Sequence, residues 1–155
     1  MAVETIKAAL LEAQAALEGL LENESALHAI DAAASAMAGA IQSGHKILSC
    51  GNGGSLCDAM HFAEEMTGRF REDRPGFAAI AIADASHMSC VGNDYGYEEV
   101  FARYVSAVGS PGDVLLAITT SGTSKNVLKA VEAAHERGMT VVGLTGRTES
   151  PLAPK

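Results

Sequence analysis

The sequence is short of cysteine and of basic residues, and each shortage excludes a class of protein. Its three cysteines, Cys50, Cys57 and Cys90, are odd in number, show no CxxC spacing and follow no recognisable secretory leader. This argues against a disulfide scaffold and predicts a reducing, cytoplasmic location. Eleven basic residues stand against 19 acidic ones, with a net charge of −8 and no run of Lys or Arg. Neither nucleic acid nor an anionic membrane is therefore an expected partner.

Long hydrophobic runs are also missing, since no apolar stretch approaches the ~20 residues that a membrane-spanning helix needs. The 155 residues are nevertheless 48% hydrophobic, which is enough to bury one complete core. We therefore expect a single domain over residues 1–155, with residues 1–44 and 45–155 as its two structural parts.

The first part carries the pattern of two amphipathic helices. Apolar residues recur at intervals of three and four, stop at "ENES" and then resume. They are Val3, Ile6, Leu10, Ala13, Leu17 and Leu20, followed by Leu27, Ile30, Ala34, Met37 and Ile41. The pattern predicts an N-terminal helical hairpin over residues 1–44.

The second part alternates short apolar runs with helical segments. Strands are expected at "KILSC", "FAAIAIA", "DVLLAIT" and "TVVGLT", and helices near 54–68, 97–106 and 124–137. Buried strands separated by helices indicate an α/β protein with a doubly wound, flavodoxin-like parallel sheet. The closing "TGRTESPLAPK" offers no further strand or helix, so either the sequence is incomplete or its sheet is one element short.

Two loops rich in small polar residues follow the first and third predicted strands. They read "GNGGS" and "TTSGTSKN", and each leads directly into a helix. In a flavodoxin-like order these strands are neighbours, and ligands bind beyond their carboxyl ends. Hydroxyls and free amides at helix starts hold phosphate without net positive charge, although the same residues also build ordinary turns and N-caps. Two such loops at one edge favour a phosphorylated ligand, whereas nucleotide fingerprints such as GxGxxG or a P-loop lysine are absent.

The helix that follows "GNGGS" carries Asp58, His61 and Glu65 on one face, because they are spaced by three and four residues. A histidine and a carboxylate one turn apart serve either as two metal ligands or as an acid and base pair. The alternative is an exposed polar face with an ordinary helical His–Glu contact. Glu64 is interpreted as a solvated acid.

A third polar segment, "DASHMSCVGNDYGYEE", follows the second predicted strand. Its Asn93 and Asp94 fit either a turn before a helix or the recognition of sugar hydroxyls. His87 is interpreted as a packed or capping histidine without a chemical role.

Four segments together closely resemble one family: "SCGNGGSLCDAMHFAEEMTGRF", "SCVGNDYGYEEVFARYV", "GDVLLAITTSGTSKNV" and "GMTVVGLTG". They are similar to the phosphoheptose isomerases, the sedoheptulose 7-phosphate isomerases of the sugar isomerase (SIS) superfamily, over nearly the whole chain. The resemblance implies a SIS fold and a homotetramer with sites shared between subunits. It also implies conversion of sedoheptulose 7-phosphate to a glycero-manno-heptose 7-phosphate through an enediol, for heptose precursors of surface polysaccharide such as lipopolysaccharide.

The resemblance also implies roles for individual residues. His61 and Glu65 are implied as catalytic residues and as ligands of a zinc ion, with Glu65 as the base. The implied substrate contacts are Asn52, Gly53, Gly54, Ser55, Glu65, Asn93, Asp94, Thr119, Thr120, Ser121 and Ser124. Thr119 stands where Ser is commoner, which keeps the hydroxyl. The family continues into a strand and a long helix that supply a Gln and a second His, and neither is present in this sequence, so zinc has two clear ligands of the three it needs.

Other members of the superfamily suggest an alternative. They include regulatory modules that sense sugar phosphates and a protein that associates with a replication initiator. A non-catalytic SIS module that binds a sugar phosphate or a protein partner therefore stays open. Glu65 favours the isomerase, because a binding module has no need of a carboxylate one turn from His61.

Overall fold

The computed structural model describes residues 2–147 and 149–152 of the chain. These fall into two units, residues 1–35 and residues 36–155. Four residues of the predicted irregular tail, 148 and 153–155, lie outside the described residues. None of the described helices is both long enough and apolar enough to cross a membrane.

The first unit consists of helix α1 (Ala2–Leu21) and most of helix α2 (Glu24–Gln42), which confirms the two predicted helices. Asn23 separates them and caps α2, because its side-chain oxygen accepts hydrogen bonds from Ala26 N (3.0 Å) and from the Ser25 hydroxyl (2.8 Å). No side chain of α1 is buried. Its apolar stripe is exposed, with Leu10 at 66% and Leu17 at 58%.

The second unit contains a four-stranded parallel sheet in the order β2-β1-β3-β4. Its strands are β1 (Ile47–Gly51), β2 (Ala79–Ala81), β3 (Val114–Thr119) and β4 (Thr140–Thr145). In register, Ile47 lies opposite Ala79 on one side and Val114 on the other, and Val114 lies opposite Thr140. The predicted neighbourhood of the first and third strands is confirmed, as is the flavodoxin-like order.

Helices cover both faces of this sheet, so it is doubly wound. Helix α3 (Gly54–Thr67) packs on the face that carries Ile47, Val114 and Leu116. Helices α4 (Ala85–Asp94), α5 (Val100–Val108) and α6 (Lys125–Glu136) share the core of the opposite face. Successive strand residues therefore point into different cores, which explains why whole strands read as apolar runs.

The order of elements holds for every predicted strand and helix, but three details differ. The second strand was expected over 77–83 and is only Ala79–Ala81. Helix α4 was not predicted, although Asp84 caps it by accepting a hydrogen bond from His87 N (2.7 Å). The next predicted helix begins as a 3₁₀ turn, Tyr97–Glu99, before α5. Glycine and polar residues dilute the apolar period of α4, so packing against its neighbours decides its conformation.

The amino ends of β1 and β3 are joined by a buried ion pair. The Asp113 carboxylate accepts hydrogen bonds from Lys46 N (3.0 Å), Lys46 Nζ and Ser110 N (2.8 Å). Burial alone would raise the pKa of Asp113, but these hydrogen bonds and the Lys46 charge bring it below its usual value.

Cys50 lies within strand β1 and is a core residue. Its burial raises the pKa of the thiol to about 12.

Candidate functional site

The two polar loops lie side by side beyond the carboxyl ends of β1 and β3, where Gly51 pairs with Ile118. Each loop turns on a glycine with positive φ, 55° at Gly53 and 69° at Gly122. A side chain at Gly122 would also collide with Ser150. Both turns therefore require glycine, and the prediction that the loops meet at the switch point of the sheet is confirmed.

The first loop presents backbone donors at the start of α3. Ser55 N and Leu56 N donate to the carbonyls of Asn52 and Gly53 at 3.0 Å. The N–H groups of Gly53 and Gly54 have no acceptor among the residues that the structure describes. Free amides at a helix N-terminus attract an anion, because the helix dipole points its positive end at them.

The second loop gathers hydroxyl groups. Thr119 Oγ1 lies 3.2 Å from Ser124 Oγ and 3.5 Å from Ser121 Oγ. Thr123 donates to Ser121 Oγ through both its amide (3.2 Å) and its hydroxyl (3.0 Å). Thr120, next to this cluster, is exposed. The structure thus brings Thr119, Ser121 and Ser124 within hydrogen-bonding distance, and each hydroxyl can both donate and accept.

Asn52 of the first loop is bonded to Asn126 near the start of α6. Asn52 Nδ2 donates to Asn126 Oδ1, and Asn126 Nδ2 donates to Asn52 Oδ1, both at 2.8 Å. The Tyr97 hydroxyl donates to the same Asn52 oxygen at 3.3 Å. Sequence reasoning missed Asn126: it ends the quoted "TTSGTSKN", but nothing in its spacing marks it as a partner of a residue 74 positions earlier.

The 3₁₀ turn between α4 and α5 is held against α6 by ion pairs. Lys125 pairs with Glu98 at 2.9 Å, and Lys129 contacts both Glu98 (3.6 Å) and Glu99. The hydrogen bond from Lys125 is the main cause that lowers the pKa of Glu98, and the hydrogen bond to Glu99 raises the pKa of Lys129. These contacts keep Tyr97 close to the first loop, although exposed pairs of this kind contribute little stability.

Helix α3 carries the predicted histidine and carboxylate pair. His61 Nε2 lies 3.1 Å from Glu65 Oε1, and the His61 side chain is 71% exposed. Glu64 joins them, so that one ligand atom from each of the three residues lies within 4.8 Å of the others. Glu64 is exposed as interpreted, but its place in this group was not expected. Asp58, on the same helix, is exposed and outside the group as far as the described residues go.

Arg74 holds the C-terminal turn of α3, and the sequence offered no signal for this. Its guanidinium donates to the carbonyls of Glu65 (2.7 Å) and Met66 (3.0 Å). The same group lies over the ring of Phe77 at 4.1 Å. A cation at a helix C-terminus satisfies carbonyls that the helix leaves without partners, so Arg74 steadies the backbone that carries Glu65.

The donor set on α3 fits a zinc ion. Imidazole nitrogen and carboxylate oxygen are both zinc ligands, at about 2.0–2.2 Å from the metal. Two such ligands at tetrahedral angles are separated by about 3.3 Å, close to the observed 3.1 Å between His61 and Glu65. The same distance suits the simple helical hydrogen bond that the sequence left as the alternative, so the geometry is compatible with both interpretations.

The polar segment after the second strand makes fewer hydrogen bonds to the two loops than its composition suggests. Asn93 and Asp94 are the last residues of α4 and bond to each other at 2.7 Å. No hydrogen bond joins either of them to the two loops among the described residues. His87 donates from Nε2 to the Val100 carbonyl (2.8 Å) and packs edge-on against Tyr104, so its interpretation as a packed histidine is confirmed.

Comparisons with known proteins agree on one family. Residues 10–146 match the family model described as the SIS domain. Over 150 residues the chain is 58% identical to the phosphoheptose isomerase of Aeromonas hydrophila and 57% identical to that of Enterobacter sp. strain 638. Each alignment covers 97% of this chain and 78% of the relative. Among solved structures, the phosphoheptose isomerase of Neisseria gonorrhoeae aligns with a TM-score of 0.89 and 43% identity, over 96% of this chain and 77% of that one.

Proposed function

The chain belongs to the SIS-domain family and, within it, to the phosphoheptose isomerases, and we infer that it is a sugar-phosphate isomerase acting on sedoheptulose 7-phosphate. Its product is a glycero-manno-heptose 7-phosphate, used for heptose synthesis. One structural observation carries the chemistry: the His61–Glu65 pair stands on the same helix whose start offers free amides next to the hydroxyl cluster. A proton-transfer group and an anion cradle therefore occur on one element.

The phosphate of the substrate is proposed to bind between the two loops. The N–H groups of Gly53 and Gly54 face it from one side, and the hydroxyls of Ser55, Thr119, Thr120, Ser121 and Ser124 serve as donors around it. This binding supplies neither charge nor proton to the reacting carbons. It fixes the distance between those carbons and the catalytic carboxylate, which lowers the entropic cost of reaching the transition state.

Glu65 is the proposed base. Ketose-to-aldose conversion removes a proton from C1, forms an enediol across C1 and C2, and returns a proton to C2, while the carbonyl moves from C2 to C1. The Glu65 carboxylate takes the C1 proton, exchanges it with solvent at the enediol stage and delivers a proton to C2, while the O1 proton passes to O2. His61 orients this carboxylate through the 3.1 Å contact, and Asn52, Asn93 and Asp94 are proposed to bind sugar hydroxyls.

A zinc ion is a proposed cofactor, with His61 and Glu65 as ligands and Glu64 as a further donor within reach. When bound, zinc would stabilise negative charge on the substrate oxygens as a Lewis acid. Glu65 would then act as both ligand and base. Further ligands are expected from a neighbouring subunit or from the C-terminal strand and helix of the family.

We propose that the enzyme is a homotetramer whose subunits associate through the first unit. Leu10, Leu17, Leu27 and Ile30 expose large apolar surfaces on α1 and α2, and contiguous surfaces of this kind mark protein interfaces. A second copy of the chain is the proposed occupant, since most oligomers are symmetric assemblies of one chain.

The cytoplasm is the proposed location, because all three cysteines are free thiols.

A deuterium-exchange assay tests the proposed function. Sedoheptulose 7-phosphate is incubated with the protein in D₂O, with and without zinc, and NMR follows product formation and deuterium at C1 and C2. We expect conversion, with solvent deuterium appearing at C2. If the protein binds the sugar phosphate without conversion or exchange, it is the binding module that the sequence left as the alternative.

A further inference from the structure

We propose that Asn126 is a positioning residue that holds the two phosphate loops in one arrangement through its amide pair with Asn52. The proposal rests on the proposed function, since it concerns how the loops that bind the substrate phosphate are kept at the right separation. Asn126 is not among the residues that the sequence assigned to the site. Its side chain faces Asn52.

The pair uses nearly all the hydrogen-bonding capacity of both amides. Asn126 Oδ1 accepts from Asn52 Nδ2 (2.8 Å) and from Val127 N (3.0 Å). Asn52 Oδ1 accepts from Asn126 Nδ2 (2.8 Å) and from Tyr97 (3.3 Å). An amide oxygen has two lone pairs, so both oxygens are saturated. Asn52 keeps one N–H for the substrate, and the pair determines the direction in which this N–H points.

These are the hydrogen bonds that connect the two loops. No backbone hydrogen bond joins residues 52–55 to residues 119–126 in the described part of the chain, and the hydroxyl groups of the second loop bond within that loop. The nearby Lys125–Glu98 pair is exposed and connects α6 to the 3₁₀ turn, not to the first loop. The amide pair is therefore the directional connection between the loops.

Burial makes this connection specific. Asn126 is 5% exposed, and a buried polar group without a partner carries a large desolvation cost. The loops are thus held where each of the two amide oxygens has two donors. A phosphate bound between them meets donors from both loops at once, so a small change in loop separation weakens binding in the ground state and in the transition state alike. Loss of such uniform binding raises KM more than it lowers kcat.

Steady-state kinetics of Asn126→Ala provide the first test. We expect KM for sedoheptulose 7-phosphate to rise about tenfold, the effect of losing roughly one net hydrogen bond, with kcat within threefold of the unmodified enzyme. Val105→Ala is the matched control, because Val105 is fully buried in the core that α4, α5 and α6 share and makes none of the side-chain hydrogen bonds between the two loops. This control lowers the unfolding midpoint but leaves KM unchanged.

A double-mutant cycle separates positioning from a general structural role. If Asn126 acts through Asn52, adding Asn126→Ala to Asn52→Ala changes KM little beyond the effect of Asn52→Ala alone. Amide hydrogen exchange, followed by mass spectrometry, provides a readout that needs no activity. Peptides over residues 52–56 and 119–125 should exchange faster in Asn126→Ala and not in Val105→Ala.

The exchange measurement distinguishes failure of this proposal from failure of the proposed function. If the loops exchange faster in Asn126→Ala but the unmodified protein shows no turnover, the isomerase function is refuted and the loop connection is retained. Unchanged loop exchange, or additive effects of the two substitutions on KM, would refute the role of Asn126. Should Asn126→Ala not fold, Tyr97→Phe removes the third hydrogen bond from an exposed side chain. It should raise KM about twofold, and an unchanged KM would refute the network.

Discussion

The amino edge of the parallel sheet, where the strands begin, and its carboxyl edge, where they end, differ in how their polar groups are hydrogen-bonded. At the amino edge, the Asp113 carboxylate is buried and accepts hydrogen bonds from Lys46 and Ser110. At the carboxyl edge, the amides of Gly53 and Gly54 are without acceptors among the described residues, and four of the five hydroxyl residues of the second loop are exposed or partly exposed. A group whose partners all come from the protein contributes stability. A group with unused capacity is available to a ligand, so stability and function occupy different edges.

The largest expected effect is the loss of turnover when Glu65 of helix α3 is replaced. Glu65→Gln keeps the shape of the side chain but removes the proposed base, so kcat should fall on the order of a hundredfold to ten-thousandfold while substrate affinity changes little. Turnover and calorimetric affinity are measured together, and metal analysis separates loss of the base from loss of zinc. Asp58→Asn, an exposed acid of the same helix outside the group, is the control. Near-normal turnover in Glu65→Gln would disprove the mechanism.

The amino edge should respond in stability and not in catalysis. Asp113→Asn is expected to lower the free energy of unfolding by about 3 kcal/mol, near the low end for breaking a buried ion pair, because Lys46 keeps partial access to water. Urea unfolding measures this change, and KM should not move. A raised KM with unchanged stability would show that Asp113 serves function and not stability, contrary to the comparison.

The pH dependence of this difference follows from the lowered pKa of Asp113. A carboxyl whose folded pKa lies below its unfolded value of about 3.9 stabilises the fold above that value and loses the contribution as pH falls through the folded pKa. The stability gap between the unmodified protein and Asp113→Asn should therefore be constant near neutral pH and shrink below about pH 4. A gap that stayed unchanged on acidification would contradict the assignment of this contribution to the Asp113 carboxylate.

Variants in the first unit test whether subunit assembly is a property separate from stability and catalysis. Leu10→Ser with Leu17→Ser should weaken subunit association on the order of a hundredfold, because each leucine loses apolar burial at the proposed interface. Light scattering over a micromolar dilution series measures the mass. Lys7→Ser on the same helix is the control. A monomer before any substitution would reject the tetramer and any site shared between subunits.

The smallest expected effect concerns the hydroxyl cluster. Ser121→Ala and Ser124→Ala, made singly, should each weaken sugar-phosphate binding about tenfold while stability is retained, because each removes one proposed hydrogen bond to the phosphate from a partly exposed loop. Calorimetry measures the affinity, and Ser106→Ala on the exposed side of α5 is the control. Unchanged affinity in both variants would move the phosphate away from this loop.

Much of the fold was predictable because its signals are local. Buried strands such as Val114–Thr119 are continuous apolar runs, and glycines mark the loops after β1 and β3. Helix α4 escaped prediction because its sequence has no strong apolar period, and the second strand is shorter than its apolar run because only Ala79–Ala81 pair with β1. Local patterns therefore indicate which elements exist and in what order, and pairing decides where they end.

The sequence by itself determined the His61–Glu65 pair, because residues four positions apart on a helix meet whatever the rest of the chain does. It also determined the two loops at the switch point, because parallel strands bring their carboxyl ends to one edge. Only the tertiary structure decided that Asn52 bonds to Asn126, 74 residues away, and that Arg74 holds the carbonyl of Glu65. Contacts between distant segments depend on how helices pack on the sheet, and no periodicity in the chain records that packing.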